Sequence, residues 1–142
     1  MSGTGFELDP RLQADTQHIA RLPLCDVLLM NDARFAWLIL VPRVAGCAEI
    51  LDLPEPARER LWQEINHAAA ALREVVPCDK LNLGALGNIV RQLHVHVVAR
   101  KEGDAAWPGP VWGSGVAKPY GGDEFLSLMQ RLRQRLASSS LA

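Results

Sequence analysis

The stretch Gln92-Leu93-His94-Val95-His96-Val97-Val98-Ala99-Arg100 contains the most informative pattern of the chain. Two histidines alternate with apolar residues, which predicts a β-strand because successive side chains of a strand point to opposite faces. One predicted face is apolar and is formed by Leu93, Val95, Val97 and Ala99. The opposite face carries Gln92, His94, His96 and Val98. This histidine strand is therefore expected to close a core on one side and to present two imidazoles on the other.

The segments that precede the histidine strand predict a hairpin and a long helix. Residues 26–30 and 36–41 are apolar and are separated by residues 31–34, which include the turn formers Asn and Asp. Residues 54–76 carry apolar side chains at helical spacing and begin with a proline, which suits a first helical turn. We therefore expect a two-stranded antiparallel hairpin followed by the principal helix.

The remaining segments complete the predicted fold. A helix is expected over residues 9–20, a strand over 80–83, a glycine-bearing loop over 84–87 and the histidine strand over 89–100. A last helix is expected to begin at Asp123, which suits an N-cap. The predicted class is α+β, with a mainly antiparallel sheet of about five strands, one long helix and a C-terminal helix.

Length and composition predict a single domain that covers residues 1–142 and includes a Trp/Pro-rich C-terminal extension from about residue 101. With 49% hydrophobic residues, the chain is rich enough in apolar side chains for a substantial core. The formal net charge of −1 provides no general attraction to polyanions, so neither nucleic acid nor a membrane surface is expected as a partner. Any recognition of phosphate must then be local.

Several features favour a cytoplasmic location. Residues 1–5 lack the basic and apolar segments of a signal peptide, and the apolar run 35–42 is too short to cross a bilayer. The three cysteines, Cys25, Cys47 and Cys78, are odd in number and widely spaced. Such a pattern is typical of reduced thiols rather than of a disulfide framework.

Four interpretations of His94 and His96 compete. The two rings could be solvated polar groups on an exposed strand face, or they could share a metal ion. A metal would need further ligands, for which Glu102 and Asp104 are distant candidates. Alternatively, one imidazole attacks a phosphorus centre, because a neutral ring offers a nucleophilic lone pair near pH 7. In the fourth interpretation the pocket binds a nucleotide without turnover.

The same stretch resembles the signature of the histidine triad (HIT) superfamily of nucleotide hydrolases and transferases, His-φ-His-φ-His-φ-φ, in which φ is hydrophobic. Residues 82–88, Asn-Leu-Gly-Ala-Leu-Gly-Asn, are similar to the family's Asn-x-Gly phosphate-side loop. Residues 38–43, Leu-Ile-Leu-Val-Pro-Arg, are similar to its second core strand. The order of hairpin, long helix, strand, loop and histidine strand also agrees, and the likeness covers roughly residues 22–100.

The resemblance implies a catalytic role for each histidine. His94 falls on the middle histidine, which attacks the α-phosphate and becomes a covalent nucleotidyl-histidine, and His96 falls on the third, which contacts phosphate and assists leaving-group departure. The first position of the motif is Gln92 here. In the family a main-chain carbonyl at this position holds Nδ1–H of the nucleophile, and a backbone acceptor survives the side-chain change. The Gln92 amide is also expected to supply a donor near the phosphate.

Other positions follow from the same resemblance. Asn31 matches a residue that contacts the ribose, and Asn82 and Asn88 match positions that line the phosphates. Trp37 stands where some members carry a further histidine. Trp107 and Trp112 are interpreted as packing or dimer residues rather than as platforms for a base.

The implied function is that of a HIT-type nucleotide phosphohydrolase. It would cleave nucleoside phosphoramidates or dinucleoside polyphosphates at the α-phosphate, act as a homodimer and require no cofactor, although a divalent cation could accompany the substrate phosphates. Two alternatives stay open, a catalytically weak nucleotide-binding protein and a His-x-His metal-binding protein.

Overall fold

The computed structural model of the chain describes residues 5–138. The signal-peptide prediction concerns residues 1–5 and therefore lies almost entirely outside the described residues. The regular elements, in chain order, are α1 (Pro10–Asp15), β1 (Thr16–Arg21), β2 (Cys25–Met30), β3 (Ala36–Pro42), α2 (Glu55–Val75), β4 (Lys80–Gly84), β5 (Val95–Arg100) and α3 (Gly122–Ser138). A short 3-10 helix, Ile50–Asp52, precedes α2.

The strands form one five-stranded antiparallel sheet in the order β1-β2-β3-β5-β4. The histidine strand β5 lies between β3 and β4, where Ile39 of β3 and Gly84 of β4 are both paired with His96. This arrangement confirms the predicted α+β class, the antiparallel sheet of five strands, the long helix and the C-terminal helix.

One face of the sheet packs against α2 and α3. The apolar residues predicted to share a face of the histidine strand, Leu93, Val95, Val97 and Ala99, all belong to this core. Leu61, Ile65 and Leu72 of α2 are almost fully buried against it. Each such side chain contributes roughly 1.5–3 kcal/mol by leaving water, so this layer provides the rigid backing of β5.

The opposite face of the sheet carries a second, smaller apolar cluster. It contains Leu12 of α1, Leu28 of β2, Trp37 and Ile39 of β3, and Val111 of the segment that leads to α3. Because α1 and that C-terminal segment cover only part of the face, the rest of it remains available for a cavity. His96 points to this side, opposite Val95 and Val97.

The predicted helix over residues 9–20 is wrong in its second half. Asp9 caps α1, accepting a hydrogen bond from the backbone N–H of Arg11 at 2.8 Å, but the helix ends at Asp15. From Thr16 the chain is extended and pairs with β2, from Thr16 opposite Met30 to Arg21 opposite Asp26. Pairing along a whole strand satisfies more backbone groups than one further helical turn, so tertiary context overrides the local preference.

The histidine strand is also shorter than predicted. Regular pairing begins at Val95 rather than at residue 89, so Gln92 and His94 lie on the loop that enters β5. The main-chain N–H of Leu93 donates to the carbonyl of Cys47 at 3.0 Å instead of to a neighbouring strand. His94 is thus held on a fixed loop immediately before the strand.

No helix within residues 5–138 combines the length and hydropathy required to span a bilayer.

Candidate active site

His94 and His96 lie side by side on the face of the sheet opposite α2. Each is only 6% exposed, and their ring centroids are 4.9 Å apart at an interplanar angle of 69°. The interpretation of two solvated polar residues is therefore wrong. Two buried imidazoles in edge contact instead form the centre of a candidate site.

The ring of His94 is oriented by the backbone of the residue two positions earlier. Its Nδ1 lies 2.6 Å from the carbonyl oxygen of Gln92. A carbonyl can only accept, so Nδ1 carries the proton, and the lone pair of the neutral ring is on Nε2. The contact predicted for the first motif position is present even though its side chain is a glutamine.

The ring of His96 has the opposite arrangement. Its Nδ1 lies 2.9 Å from Nε1 of Trp37, and an indole N–H can only donate. Nδ1 of His96 therefore holds a lone pair, and Nε2 carries the proton. Burial, followed by the neighbouring His94, lowers the pKa of His96 from 6.5 to about 4, so this ring is neutral at physiological pH.

Both rings border a cavity of about 910 Å³. That volume lies near the upper end of the range of roughly 300–1,000 Å³ typical of small-molecule sites. Apolar walls come from Leu12 of α1, Ile39 of β3 and Val111 and Trp112 of the C-terminal segment. Such a mixture of apolar walls and a few polar groups suits a ligand with one flat apolar part and one charged part.

Trp112 reaches its place beside His96 because of a glycine. Its ring centroid lies 5.4 Å from that of His96, and a Cβ at Gly84 would come within 2.9 Å of the indole. Gly84 is thus required for close approach rather than for a turn. Trp107 instead packs over the guanidinium of Arg100 at 5.6 Å. Trp107 is therefore a packing residue, as the sequence suggested. Trp112 packs against its neighbours too, but in addition it forms a wall of the cavity.

A buried ion pair holds the C-terminal segment over the cavity. Arg34 donates from Nε and Nη2 to the two carboxylate oxygens of Asp32 at 3.0 and 2.8 Å, and from Nη1 to the carbonyl of Ser114 at 2.7 Å. Burial by itself would raise the pKa of the Asp32 carboxyl, but the hydrogen bonds from Arg34 and Lys118 together lower this pKa below its usual value. This pair fixes one rim of the cavity, while Arg11 of α1 adds a second, more exposed cation to its lining.

Two of the predicted nucleotide contacts lie in the cavity lining. Asn31 follows β2, and its Oδ1 accepts a hydrogen bond from the backbone N–H of Tyr120 at 2.9 Å. Asn88 belongs to the loop before β5 and lines the cavity together with Gly87, Ile89 and Val90. The structure thus brings these two positions together with His94 and His96.

Asn82 lies elsewhere, and its predicted phosphate contact is not supported. Its Oδ1 accepts a hydrogen bond from Nη1 of Arg100 at 2.8 Å, and it does not line the cavity. Asn82 is on β4 opposite Val98, toward the far end of β5 from His94. The side-chain amide is therefore used to hold a buried arginine.

The side chain of Gln92 is likewise turned away from the cavity that holds the two imidazoles. Its Nε2 donates to the carbonyl of Glu7 at 2.8 Å, and its Oε1 accepts from the N–H of Asp9 at 2.9 Å. Both ends of the amide are thus occupied by the segment that leads into α1. Gln92 anchors this segment, whose helix supplies Arg11 and Leu12 to the cavity lining.

The structure offers no support for a metal site at the histidines. Within residues 5–138 there is no group of three or more His, Cys, Asp or Glu side chains placed to share an ion. Asp104, considered as a distant helper, is paired with Arg100 at 2.8 Å instead.

Besides Trp112, sequence reasoning missed at least three residues of the site. Trp37, Arg34 and Arg11 were not predicted as site residues, although all three line the cavity. Trp37 could have been suspected, because alternation on β3 places it on the same face as Ile39. Its contact with His96 could not have been predicted, because the register between β3 and β5 is set only in the folded sheet.

A family model described as HIT domain matches residues 11–103. The structure is similar to a histidine triad (HIT) protein from Sinorhizobium meliloti, at 48% identity and a TM-score of 0.90, with 93% of this chain and 98% of that chain covered. A histidine triad protein from Bradyrhizobium japonicum shares 46% identity at a TM-score of 0.90, over 92% of this chain and 98% of that one. A histidine triad protein from Marinobacter aquaeolei shares 44% identity at a TM-score of 0.91, over 95% of this chain and 98% of that one. No curated protein matches the chain significantly.

Proposed function

The chain belongs to the HIT domain family, and from this premise we propose that it is a nucleotide phosphohydrolase that acts at the α-phosphate of nucleoside phosphoramidates or dinucleoside polyphosphates. Family membership itself supports a nucleotide-binding or hydrolase role. The observation that carries the finer proposal is the pairing of two buried imidazoles in opposite tautomers beside one cavity. One ring offers a nucleophile and the other a hydrogen-bond donor.

In the first step, Nε2 of His94 attacks the α-phosphorus. A P–N bond forms, the bond to the leaving group breaks, and the leaving amine or phosphate takes the electron pair and a proton from solvent. The His94 ring then carries a positive charge, and its Nδ1–H still donates to the carbonyl of Gln92. That carbonyl stabilises the charged ring, as expected for covalent catalysis by an oriented nucleophile.

In the second step, water attacks the same phosphorus. The P–N bond breaks, its electron pair returns to Nε2 of His94, and the surplus proton of the water leaves to solvent. The products are a nucleoside monophosphate and a regenerated imidazole, so the overall reaction consumes one water. The roles of Asn31 at the ribose and of Asn88 at the phosphates are part of the same proposal and rest on their positions in the cavity lining.

The scheme is tested by trapping the covalent intermediate. The enzyme is mixed with an adenosine phosphoramidate, quenched within one turnover and digested, and its peptides are mapped by mass spectrometry. We expect an AMP adduct on His94 and none on His96. His94→Ala should show no adduct and no turnover, whereas normal hydrolysis by this variant would eliminate the mechanism.

A catalytically weak nucleotide-binding protein is the second candidate. It is favoured by one observation, the replacement of the first motif histidine by Gln92, whose amide is occupied by Glu7 and Asp9. Calorimetry with a non-hydrolysable AMP analogue, beside a sensitive product assay, separates the two candidates. Tight binding with no detectable product would favour the binding protein.

The proposed reaction uses no resident cofactor. Treatment with EDTA followed by desalting should therefore leave turnover of a phosphoramidate intact. For a dinucleoside polyphosphate, restoration of lost activity by added Mg²⁺ would indicate a cation that accompanies the substrate phosphates. Stoichiometric zinc in the purified protein, with activity lost on chelation, would favour the metal-binding alternative instead.

We further propose a homodimer in the cytoplasm. The dimer is expected from the family resemblance and is supported by β4, an edge strand whose Leu83 is 48% exposed. The location is supported by Cys25, Cys47 and Cys78, which are all free thiols. Sedimentation of the purified chain tests the dimer, and a monomer at micromolar concentration would contradict it.

A further inference from the structure

We propose that Trp37 is a positioning residue that fixes His96 as a permanent Nε2–H donor toward the cavity, and so separates the roles of the two imidazoles. The inference deepens the proposed function and rests on it. In this role His96 donates a hydrogen bond to the phosphoryl oxygens or to the leaving group. It does not transfer its proton to either of them.

The contact on which the inference depends is buried and rigid. Trp37 is 7% exposed, and its Nε1 donates to Nδ1 of His96 at 2.9 Å. The indole is held edge-on between the rings of Phe35 and Trp112, at centroid distances of 6.3 and 6.5 Å. It also lies on β3 two residues before Ile39, which is paired with His96, so the backbone sets the distance of the indole from the imidazole. Little freedom remains for the indole to turn away.

The donor-only nature of indole forces the tautomer. A tryptophan N–H has no lone pair, so the nitrogen that faces it must have one. If His96 bore its proton on Nδ1, two N–H groups would face each other at a separation of 2.9 Å, which is too short for a water molecule to lie between them. The Nε2–H tautomer avoids this conflict, and it aims a donor rather than a lone pair into the cavity. An anionic phosphoryl oxygen is attracted by the donor and would be repelled by the lone pair.

The same contact explains why His96 cannot release its proton usefully. A neutral ring that gives up its Nε2 proton becomes an imidazolate, which is far too basic to form beside a phosphate. A cationic ring would need a proton on Nδ1, where Trp37 already points its own N–H. His96 can therefore share its proton in a hydrogen bond but does not transfer it, and the leaving group must obtain its proton from solvent.

The pH dependence follows from the groups around the ring. The titratable side chain that faces His96 is His94, on the loop before β5, whereas Trp37 of β3 and Trp112 of the C-terminal segment do not titrate. Burial and His94 lower the pKa of His96 to about 4. The donor should therefore persist unchanged from pH 8 to pH 5, and any loss of activity in that range must arise elsewhere.

The tautomer is tested directly by nitrogen NMR of the full chain labelled with ¹⁵N-histidine. In the wild type, His96 should show a protonated Nε2 and an unprotonated Nδ1 at every pH from 8 to 5. In Trp37→Phe the donor is gone, so Nδ1 and Nε2 should share the proton and the pKa of His96 should rise. A matched control exists in Trp112→Phe. That indole also touches His96, but its nitrogen has no hydrogen-bond partner within the described part of the chain, so the tautomer should not change.

Kinetics provide the functional readout. Trp37→Phe should lower kcat by roughly 3- to 30-fold, less than the roughly 10²–10³-fold loss typical of removing a donor altogether, with little change in KM. The pH profile of kcat in this variant should change shape between pH 8 and pH 5, because His96 can now become protonated in that range, whereas the ring of the wild type stays neutral. A merely structural role for Trp37 would lower the yield of folded enzyme without changing that profile.

The outcomes separate this inference from the proposed function. An Nδ1–H tautomer in the wild type, or an unchanged His96 spectrum in Trp37→Phe, would overturn the role of Trp37 even if an adduct formed on His94. The predicted spectra without any adduct would instead refute the hydrolase and keep the tautomer assignment. If Trp37→Phe fails to fold, the wild-type pH series alone decides.

Discussion

The two ends of β5 carry polar clusters that are built in opposite ways. At the beginning of the strand, His94 and His96 each have one ring nitrogen engaged within the chain, and both rings border the cavity. At its end, Arg100 is 1% exposed and has all three guanidinium nitrogens engaged. One cluster keeps hydrogen-bonding capacity available, and the other is saturated.

The saturated cluster is centred on an ion pair. Arg100 donates from Nε and Nη2 to Asp104 at 2.8 and 2.9 Å and from Nη1 to Asn82 at 2.8 Å, while its guanidinium lies 5.6 Å from the ring centres of both Phe35 and Trp107. Asp104 also accepts from the backbone N–H groups of residues 106 and 107. The arrangement ties β4, β5 and the C-terminal segment together.

Burial alone does not show whether a polar residue can act on a ligand. Both clusters consist of buried polar residues at the two ends of the same strand. Only a group with a free lone pair or a free N–H donor can act on a ligand. A saturated group contributes to stability, and its loss leaves the remaining partner desolvated. Mutations at the two ends should therefore separate activity from stability.

The largest expected effect is the loss of catalysis in His94→Ala. Removing the nucleophile should reduce kcat by roughly 10³-fold or more, because the second imidazole of the site, His96, presents an N–H rather than a lone pair to the cavity. The free energy of unfolding, measured in urea, should change far less than in variants of the Arg100 cluster. A normal rate in His94→Ala would show that the reaction takes place elsewhere and that the histidine cluster has no catalytic role.

The next effect belongs to the saturated end. Asp104→Asn should lower the free energy of unfolding by about 3–5 kcal/mol, because it leaves the buried guanidinium of Arg100 without its counter-ion. The rate per folded molecule should stay close to that of the wild type. Glu55→Gln is the matched control, since its ion pair with Arg58 spans 4.0 Å at the surface and should contribute less than about 1 kcal/mol.

Two asparagines, one at each cluster, should respond in opposite ways to the same substitution. Asn82→Ala should cost about 1.5–3 kcal/mol of stability, through the lost hydrogen bond to a charged donor, and leave KM for the nucleotide unchanged. Asn88→Ala should show the reverse, with a KM several-fold higher and an unchanged midpoint of unfolding. Equal effects of the two variants on KM would mean that Asn82 reaches the substrate after all.

The smallest effect concerns the pH dependence of stability. His96 has a folded pKa of about 4 against 6.5 for an ordinary histidine, so between these values the unfolded chain binds a proton that the folded chain does not. Stability should therefore fall as pH decreases through this window, by about 1 kcal/mol between pH 6 and pH 5.

The control for this prediction is His96→Gln, which keeps an acceptor for Trp37 but cannot titrate. The free energy of unfolding of each protein is measured in urea at a series of pH values. As pH falls, the wild type should lose stability relative to the variant, because only the wild type has His96 to titrate. Parallel curves would contradict the depressed pKa. The carboxyl of Asp104, whose pKa is lowered to about 2 by Arg100, should lose its contribution only below pH 4.

Much of the fold could be predicted from local pattern. Alternation around His94 and His96 identified the histidine strand and its apolar face, and the periodicity of residues 54–76 identified α2, which runs from Glu55 to Val75. Strand β1 was misjudged because its pairing with β2 is a tertiary interaction. The role of Asn82 was misjudged for the same reason, since its partner Arg100 lies on the adjacent strand.

Which residues could do chemistry is evident from the sequence alone, because residue type and spacing are local properties. The sequence identified the two imidazoles, the motif that relates the chain to its family, and the strand that carries them. What each imidazole can do depends instead on contacts that form only in the folded protein. A ring's tautomer depends on the group that faces its Nδ1, and for His96 that group is an indole 59 positions away in the chain, brought into contact by the register between β3 and β5.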